Sequence, residues 1–146
     1  MPERGVKYWV IVASKDHVKA GEKAGFAQAC HGKAGPLRKM RKGDYVIYYS
    51  SKLYFGRPDK CQAFTAIGRV KSDNVYSVEM AEGFCPSRID VAFFESREVS
   101  ILPLIGDLEF IVNKQRWGYP FRWGMLEINK QDFELIAGLM LEGRPM

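Results

Sequence analysis

Two runs of β-branched and aromatic residues in the first third of the sequence constrain the fold more than any other feature. The first spans residues 7–13 (KYWVIVA) and the second spans residues 45–50 (YVIYYS). Side chains of these types are enriched in strands because they pack well on a pleated, buried surface. Gly43 and Asp44 supply a turn signal directly before the second run. Both runs are therefore predicted to be strands, and the first is predicted to lie in the centre of a sheet.

Weaker strand signals follow along the rest of the chain. They lie at residues 62–70, 73–80, 89–94 and 99–102. Gly68 interrupts the first of these segments, and a glycine inside a strand often marks a bulge or a close approach of another backbone. The sequence therefore predicts a sheet of about six short strands.

Helices are predicted mainly at the two ends of the chain. The helical signals lie at residues 14–24, 103–112 and 130–141, and residues 37–42 suit either a very basic turn or a short helix. Asn129 and Asp132 resemble a capping box at the start of the last segment, whose apolar residues fall on one helical face. Strands flanked by helices at the front and back predict an α+β fold in which a mixed sheet curls into a small barrel.

Composition limits the class of protein. The chain has 146 residues, of which 47% are hydrophobic and 27% are charged, as expected for one globular domain over residues 1–146. No apolar run approaches the roughly 18–20 residues that span a bilayer, and no leader-like segment is recognisable. Three well-separated cysteines, Cys30, Cys61 and Cys85, argue against a disulfide framework and for a reducing compartment. We expect a cytoplasmic domain without membrane contact.

Positive charge is concentrated in one segment. The formal net charge is +5 at pH 7, yet residues 33–60 alone carry +6 and the remainder of the chain carries −1. A focused positive region attracts polyanions such as nucleic acids and phosphorylated ligands. A solvated face that serves only solubility has the same composition, so charge alone leaves both interpretations open.

Signals for catalysis or metal binding are weak. Cys30 and His31 are adjacent, and neighbouring side chains point to different faces of a strand or helix, which disfavours a Cys/His nucleophile pair. His17 is the only other histidine, and no spacing of Cys and His is typical of zinc. Gly32 and Lys33 lack the other residues of a P-loop. We predict no catalytic residue, no metal site and no cofactor, and a protein that is not an enzyme.

Aromatic residues beside basic or hydroxyl residues are a stronger signal. They occur at residues 49–52 (YSSK), 116–118 (RWG) and 122–124 (RWG). Recognition of an unpaired nucleotide needs aromatic faces that stack on the base, cations for phosphate, and polar groups for the base edge. These segments contain all three kinds of group, so a nucleotide-binding surface is a reasonable hypothesis.

Not every aromatic residue is expected to take part. Trp9, Tyr48 and Trp123 are predicted to fill the core. Trp117 and Tyr119 lie in a segment with glycine and proline that is flanked by charge, and packing alone does not readily explain an aromatic residue there. They are predicted to be at least partly exposed.

His31, Gly32 and Lys33 allow two interpretations. His31 has the groups to bond a base edge or a phosphate, Gly32 permits close backbone approach, and Lys33 can neutralise a phosphate. The same three residues also suit an ordinary turn with a solvated lysine. The residues themselves do not decide between the two.

Several segments, taken in order, match a known domain. They are YWV at 8–10, SKDHV at 14–18, FAQACHGK at 26–33, MRKGD at 40–44, YYSSK at 48–52, QAFTAIG at 62–68, WG at 117–118 and DFELI at 132–136. Together they resemble the EVE domain of the PUA-like superfamily, in its small stand-alone prokaryotic form. The resemblance covers nearly the whole chain and is therefore far more specific than any single motif.

The resemblance carries expectations for fold and function. It implies a PUA-like curved, mixed β-barrel with flanking short helices, a carboxyl-terminal helix, and a cleft for one nucleobase. Related YTH domains hold a methylated adenine in an aromatic cage. The resemblance thus implies a module that binds nucleic acid, DNA or RNA, at a single modified base, for which modified cytosine in DNA is one candidate. We expect a monomer or a weak homodimer.

The same likeness indicates which residues form the site. The base pocket is expected to contain Ser14, Phe26, Gln28, His31, Lys33, Ser50, Ser51, Lys52, Trp117 and Arg122. Tyr49 is included as a cage aromatic, for which Phe26 and Tyr54 are further candidates. The basic segment is expected to bind phosphate through Arg38, Lys39, Arg41, Lys42 and Arg57.

Two other functions stay open at the level of sequence. One is an enzyme or binding protein for a small anionic, nucleotide-like ligand, with His31 as general acid or base and Lys52 or Arg122 on the phosphate. The other is a protein-interaction module whose exposed aromatic residues form a dimer patch.

Overall fold

A computed structural model of the chain describes residues 4–144. The strands are β1 (Tyr8–Val12), β2 (Phe26–Ala27), β3 (Tyr45–Lys52), β4 (Lys60–Ser77), β5 (Ser87–Phe93), β6 (Val99–Ser100) and β7 (Met125–Ile128). The α-helices are α1 (Lys15–Ala24), α2 (Ala34–Leu37) and α3 (Lys130–Met140), and short 3-10 helices span Cys30–Gly32, Leu102–Leu104 and Tyr119–Trp123. The predicted α+β class is confirmed.

The strands form one curved, mixed sheet. Its order is β2-β5-β4-β3-β1-β7, with β6 paired to β4. β1 pairs in parallel with β3 and antiparallel with β7, so the predicted central position of β1 is confirmed. The curvature brings the two edges of the sheet together, because the Cys30 thiol after β2 lies 3.4 Å from the carbonyl oxygen of Trp123 before β7.

Some element boundaries differ from those predicted. The segments 62–70 and 73–80 are not two strands but parts of β4, which continues to Ser77. The polar residues between them resemble a turn, yet β4 absorbs them in a register shift against β5 between Val70 and Val75. The basic segment 37–42, predicted as a turn or a short helix, consists of the last residue of α2 and the turn that follows it. The segment 103–112, predicted to hold a helix, contains only the end of a 3-10 helix.

Alternation along the strands divides the core into two layers. On β1, Val10 and Val12 point to the layer that contains α3, which we call the α3 face. Trp9 and Ile11 point to the layer that contains α1 and α2, which we call the α1 face. Successive side chains of a strand lie on opposite faces. A shift of one residue along a strand would therefore move each side chain from one layer of the core to the other.

The carboxyl-terminal helix begins as the sequence predicts. The Asn129 side-chain oxygen accepts a hydrogen bond from the Asp132 backbone N–H at 2.7 Å. The buried Asp132 carboxylate in turn accepts the backbone N–H groups of Glu109 and Phe110, both at 2.9 Å. The cap therefore fixes the long loop before β7 as well as α3.

The predicted burial of the aromatic residues is correct with one exception. Trp9 and Tyr48 are buried, and Tyr119 is exposed while Trp117 is partly so. The prediction that Trp123 fills the core is wrong, since 66% of this residue is exposed. The 3-10 helix has about three residues per turn, so two positions after the buried Phe121 the side chain points away from the core.

Gly68 lies at the closest approach of β4 and β5. A Cβ atom there would stand 2.6 Å from the Val91 Cγ1 atom and 2.7 Å from the Ala92 carbonyl oxygen. We expect Gly68→Ala to lower the free energy of unfolding by about 1–3 kcal/mol, because overpacked cores are strained by such amounts. Urea denaturation measures the loss. As a matched control, Gly138→Ala in α3 meets nothing within 4 Å and should be neutral or stabilising; equal losses in both variants would contradict the prediction.

The described part of the chain, residues 4–144, contains no helix that is long and apolar enough to cross a membrane.

Candidate functional site

Two concave regions flank the Tyr119–Trp123 helix. The first, which we call the groove, has a volume of about 280 Å³. The side chains that define it include Tyr49, Ser51, Gln62, Trp117, Phe121 and Arg122. The second, which we call the cleft, has a volume of about 710 Å³. The side chains that define it include Arg38, Lys39, Arg41, Trp123, Met125 and Glu127.

A pair of stacked rings forms the floor of the groove. The rings of Tyr49 and Phe121 are 4.1 Å apart at an angle of 13°, and Phe64 and Phe110 support them edge-on. Tyr49 is 2% exposed, and this burial raises the pKa of its hydroxyl well above its usual value. The phenol therefore stays neutral and keeps its proton for donation.

Tyr49 lines the groove. Its hydroxyl makes no hydrogen bond to any residue in the range 4–144, and no fully buried polar side-chain atom in that range lacks a partner. The hydroxyl is therefore not fully buried, although the residue as a whole is only 2% exposed. A phenol hydroxyl can both donate and accept.

Strand alternation explains which residues of β3 reach the groove. Tyr49 and Ser51 lie on the α3 face, whereas Ser50 lies on the opposite face, where its hydroxyl is 2.8 Å from the Thr65 hydroxyl. The pairing of β3 with β4 shifts register between Tyr48 and Tyr49 and again between Ser50 and Lys52. Such bulges re-aim side chains at the end of a strand, and here they open the sheet where the groove begins.

Polar groups stand around the aromatic floor. The Ser51 hydroxyl and the Gln62 carboxamide make no side-chain hydrogen bond within the described residues. Gln62 also has a φ of 51°, a left-handed conformation that is uncommon for a residue other than glycine. An amide and a hydroxyl in this position can read the donor and acceptor pattern of a flat ligand.

Arg122 stands between the groove and the cleft. Its guanidinium carbon lies 3.4 Å from the ring centroid of Tyr119 and 4.4 Å from that of Trp123. Cation–π contacts of this kind hold the side chain in place. Arg122 therefore brings a fixed positive charge to the rim of the groove.

Four of the residues predicted for a base pocket meet in the groove. They are Tyr49, Ser51, Trp117 and Arg122. Gln62 and Phe121 join them, although neither was predicted as a pocket residue. Gln62 belongs to the segment QAFTAIG that carries the family resemblance, which is the one signal that pointed to it. Nothing in the sequence distinguishes Phe121 from a core residue.

The other predicted pocket residues lie elsewhere. Ser14 donates to the Asp16 carboxylate at the start of α1, and Lys52 donates to the Pro58 carbonyl oxygen at 3.4 Å. Tyr54, a further aromatic candidate, is exposed on the loop between β3 and β4. Their contribution to a pocket stays a prediction.

The segment after α1 forms its own cluster. The Phe26 ring lies 3.8 Å below the Arg88 guanidinium, which also donates to the Gln28 side chain at 2.7 Å. His31 is exposed in a left-handed conformation with φ 62°, and Lys33 is exposed at the start of α2. None of these side chains lines the groove.

The cleft gathers much of the basic segment. Arg38, Lys39 and Arg41, three of the predicted phosphate ligands, line it, whereas Lys42 and Arg57 do not. The side chains of Arg38, Lys39 and Arg41 form no ion pair or hydrogen bond within residues 4–144. Glu127 is the acidic residue of the lining, and it faces Lys7 at 3.5 Å. The cleft therefore presents unneutralised positive charge.

Catalytic and metal-binding arrangements are not apparent in the described structure. Within residues 4–144, no group of three or more His, Cys, Asp or Glu side chains is placed to hold a metal ion. The Cys30 thiol contacts a backbone carbonyl oxygen rather than a histidine.

Comparison with known proteins identifies the relatives of this chain. The family model of the EVE domain matches residues 7–139. A UPF0310 protein of Streptococcus mutans is 55% identical over 135 residues, which cover 92% of this chain and 97% of that protein.

Two solved structures share the fold. The YTH domain of Zygosaccharomyces rouxii MRB1, solved with N6-methyladenosine RNA, matches with a TM-score of 0.60 and 15% identity over 95% of this chain and 92% of that one. Human THYN1, solved with DNA containing 5-methylcytosine, matches with a TM-score of 0.50 and 13% identity over 96% of this chain and 99% of that one. At such identities the likeness concerns the fold alone.

Proposed function

The chain belongs to the EVE domain family, and from this premise we propose that it is a nucleic-acid-binding module that recognises a single modified base in the groove. The base is inserted as an unpaired or flipped nucleotide, and the module carries out no catalysis. DNA and RNA are both candidate partners.

The aromatic lining of the groove carries the proposal. A nucleobase is flat, and it stacks on aromatic side chains with a gain of about 1–3 kcal/mol per base. Tyr49 and Phe121 stack on each other and form a rigid, nearly buried floor, so the partly exposed ring of Trp117 beside them is the surface on which the base stacks. An apolar floor with a few convergent polar groups is the usual character of a small-ligand site.

The polar rim supports recognition of the base edge. In the proposed complex, the Ser51 hydroxyl, the Gln62 carboxamide and the Tyr49 hydroxyl read the donors and acceptors of the base. Arg122 neutralises the phosphate that follows the recognised base along the strand. Because these groups have no partner among the described residues, binding replaces their hydrogen bonds to water and breaks none within the protein.

The fold relatives support the class of ligand. The YTH domain was solved with N6-methyladenosine RNA and THYN1 with 5-methylcytosine DNA. These ligands differ in base and in sugar, so they favour a modified base in general and do not select one. The binding experiment therefore has to compare several modifications.

A fluorescence titration tests the proposal. Short oligonucleotides that differ at one base (unmodified, 5-methylcytosine, 5-hydroxymethylcytosine or N6-methyladenine) are titrated at two salt concentrations. Quenching of tryptophan fluorescence reports binding. We expect a preference for one modification that persists at the higher salt concentration. Equal affinity for all oligonucleotides would contradict the proposal and leave only a basic surface.

A second prediction concerns the basic segment. The double substitution Lys39→Ala and Arg41→Ala should weaken binding to all oligonucleotides alike, because phosphate contacts carry no sequence information. The slope of log K against log salt should fall in magnitude by about 2, since each phosphate contact contributes about 1. Titrations at four salt concentrations measure the slope.

The exposed lysines Lys71 and Lys130 supply the control for this experiment, because neither lines the groove or the cleft. Their double substitution removes the same charge and should leave the slope nearly unchanged. If the two double variants lose affinity equally, binding reflects net charge rather than a located contact, and the phosphate assignment fails.

The enzyme alternative has less support from the described structure. His31 is exposed and makes no side-chain hydrogen bond within residues 4–144, so nothing orients it as a general acid or base. Lys52 donates to the Pro58 carbonyl oxygen and does not line the groove. A panel of nucleotides incubated with the protein should show no turnover that depends on His31.

A further inference from the structure

The cleft holds an exposed tryptophan that recognition of one base does not use. We propose that it is a second nucleotide site, in which the base next to the recognised one stacks on Trp123 while Arg38, Lys39 and Arg41 bind its phosphates. This inference rests on the proposed function, and it specifies the partner as a single strand of nucleic acid that runs from the groove into the cleft.

Trp123 is held as a platform rather than left free. Its carbonyl oxygen accepts the Cys30 thiol at 3.4 Å, and Gly124 after it adopts a left-handed conformation with φ 79°. Arg122 covers the indole at 4.4 Å, yet 66% of the residue stays exposed. A large apolar ring in a fixed orientation and open to solvent is what base stacking requires.

The cations of the cleft are also held in place. The turn that carries Lys39 and Arg41 is tied to the buried Asp44 carboxylate, which accepts the Arg41 backbone N–H at 3.0 Å. The Lys39 carbonyl oxygen accepts the Arg4 guanidinium at 2.9 Å. These bonds use the backbone of the turn and leave the basic side chains of Lys39 and Arg41 directed to solvent. Positive charge beside an aromatic ring matches a nucleotide, which combines a phosphate with a base.

The groove and the cleft are close enough for one strand. Arg122 lines the groove and contacts Trp123 in the cleft. Val12 in the groove and Trp9 in the cleft lie on opposite faces of β1, so the path between the two sites passes around Arg122 rather than along β1. A single strand that rounds Arg122 reaches both sites.

Stacking on Trp123 requires an unpaired base. In a duplex, each base is covered by its neighbours and paired to the opposite strand, so its face is not available to a side chain. A duplex is expected to reach the cations of the cleft without reaching the indole face. The partner that uses both is therefore single-stranded.

Binding of unmodified nucleic acid tests the inference separately from the proposed function. The probes are single-stranded dT8 and a twenty-base-pair duplex of mixed sequence, which stays paired at 25 °C; neither contains a modified base. Trp123→Ala is expected to weaken dT8 binding by about 5- to 150-fold, the effect of losing one stacked base, and to leave duplex binding within about twofold. Trp123→Phe should restore most of the dT8 affinity because phenylalanine also stacks.

Phe84→Ala is the matched control, since Phe84 is an exposed aromatic residue that lines neither the groove nor the cleft. It should bind dT8 like the unsubstituted protein, and thermal unfolding checks that each variant is folded. The inference would be overturned if Trp123→Ala bound dT8 as well as the unsubstituted protein does, or if the unsubstituted protein did not bind dT8 at all. It would also be overturned if Phe84→Ala lost as much dT8 affinity as Trp123→Ala, or if Trp123→Ala lost as much affinity for the duplex as for dT8. If the unsubstituted protein binds dT8 as expected but prefers no modified base, the result counts against the groove and leaves the inference about the cleft standing.

Discussion

Trp117→Ala is expected to remove the preference for a modified base while general affinity for nucleic acid changes little. Trp117 lines the groove beside the Tyr49–Phe121 floor, and its ring is partly exposed there. One stacked base contributes about 1–3 kcal/mol, which corresponds to a loss of about 5- to 150-fold for the preferred oligonucleotide. The unmodified oligonucleotide should change by less than threefold, because its binding depends on phosphate contacts and on the cleft rather than on the groove.

Two variants separate stacking from packing. Trp117→Phe keeps an aromatic face and should keep a reduced preference, whereas Trp117→Leu keeps apolar volume and should lose it. Trp117 packs against the core of the α3 face, so the thermal unfolding midpoint of each variant has to be measured first. A folded Trp117→Ala protein that still distinguishes the modified base would place recognition outside the groove.

Asp44→Ala is expected to have the largest effect on stability. The buried Asp44 carboxylate accepts two bonds from the Arg4 guanidinium, at 3.0 and 2.8 Å. It also accepts the indole N–H of Trp9 at 2.9 Å and the backbone N–H groups of Lys7 and Arg41 at 3.1 and 3.0 Å. Removal of one partner of a buried ion pair costs about 3–5 kcal/mol, and whole domains are stable by only about 5–15 kcal/mol.

Urea denaturation measures this loss against a matched control. Asp73 is exposed and accepts one backbone N–H, that of Lys42 at 2.7 Å, so Asp73→Ala should cost no more than about 1 kcal/mol. Asp44→Asn retains an acceptor but loses the charge and should fall between the two. If Asp44→Ala is no less stable than Asp73→Ala, the carboxylate does not organise the cluster around it.

Asp44 also predicts how stability depends on pH. Burial by itself raises the pKa of Asp44, but the bonds from Arg4, Trp9 and two backbone N–H groups outweigh burial and hold the pKa below its usual value. The unfolded chain therefore binds the proton more readily than the folded protein. This part of the stability is complete above about pH 4–5 and is lost as the pH falls through the folded-state pKa. In Asp44→Asn the acid-dependent decrease should be smaller.

The sequence predicted the individual strands better than their extent. Residues 8–12 and 45–52 form the central strands because their apolar and β-branched side chains suit a buried sheet whatever their neighbours are. β4 was predicted in two pieces, because the polar residues 71–74 look like a turn. They stay within one strand because Val70 and Val75 on either side of them both pair with β5 across a register shift. Helix α3 was predicted with its cap, since capping depends on residues three positions apart.

The candidate site was predicted only in part, because local patterns are visible in the sequence and distant contacts are not. Local composition singled out the segments that hold four of its residues, since aromatic residues stand beside basic or hydroxyl residues at 49–52, 116–118 and 122–124. The resemblance to the EVE domain then implied that Tyr49, Ser51, Trp117 and Arg122 belong to the pocket. Phe121 and Gln62 were missed, because their role arises from contacts with segments far away along the chain. Trp123 was assigned to the core, although a 3-10 helix directs it into the cleft.

The sequence by itself thus determined the class of fold, the central strands, the capped final helix and the family, since each depends on local pattern or on ordered similarity along the chain. Tertiary structure decided which side chains share a cavity. Alternation and bulges in β3 direct Ser51 into the groove and Ser50 away from it. Curvature brings Cys30 to Trp123 across the two edges of the sheet. Both effects depend on how the sheet pairs and closes, which no single segment encodes.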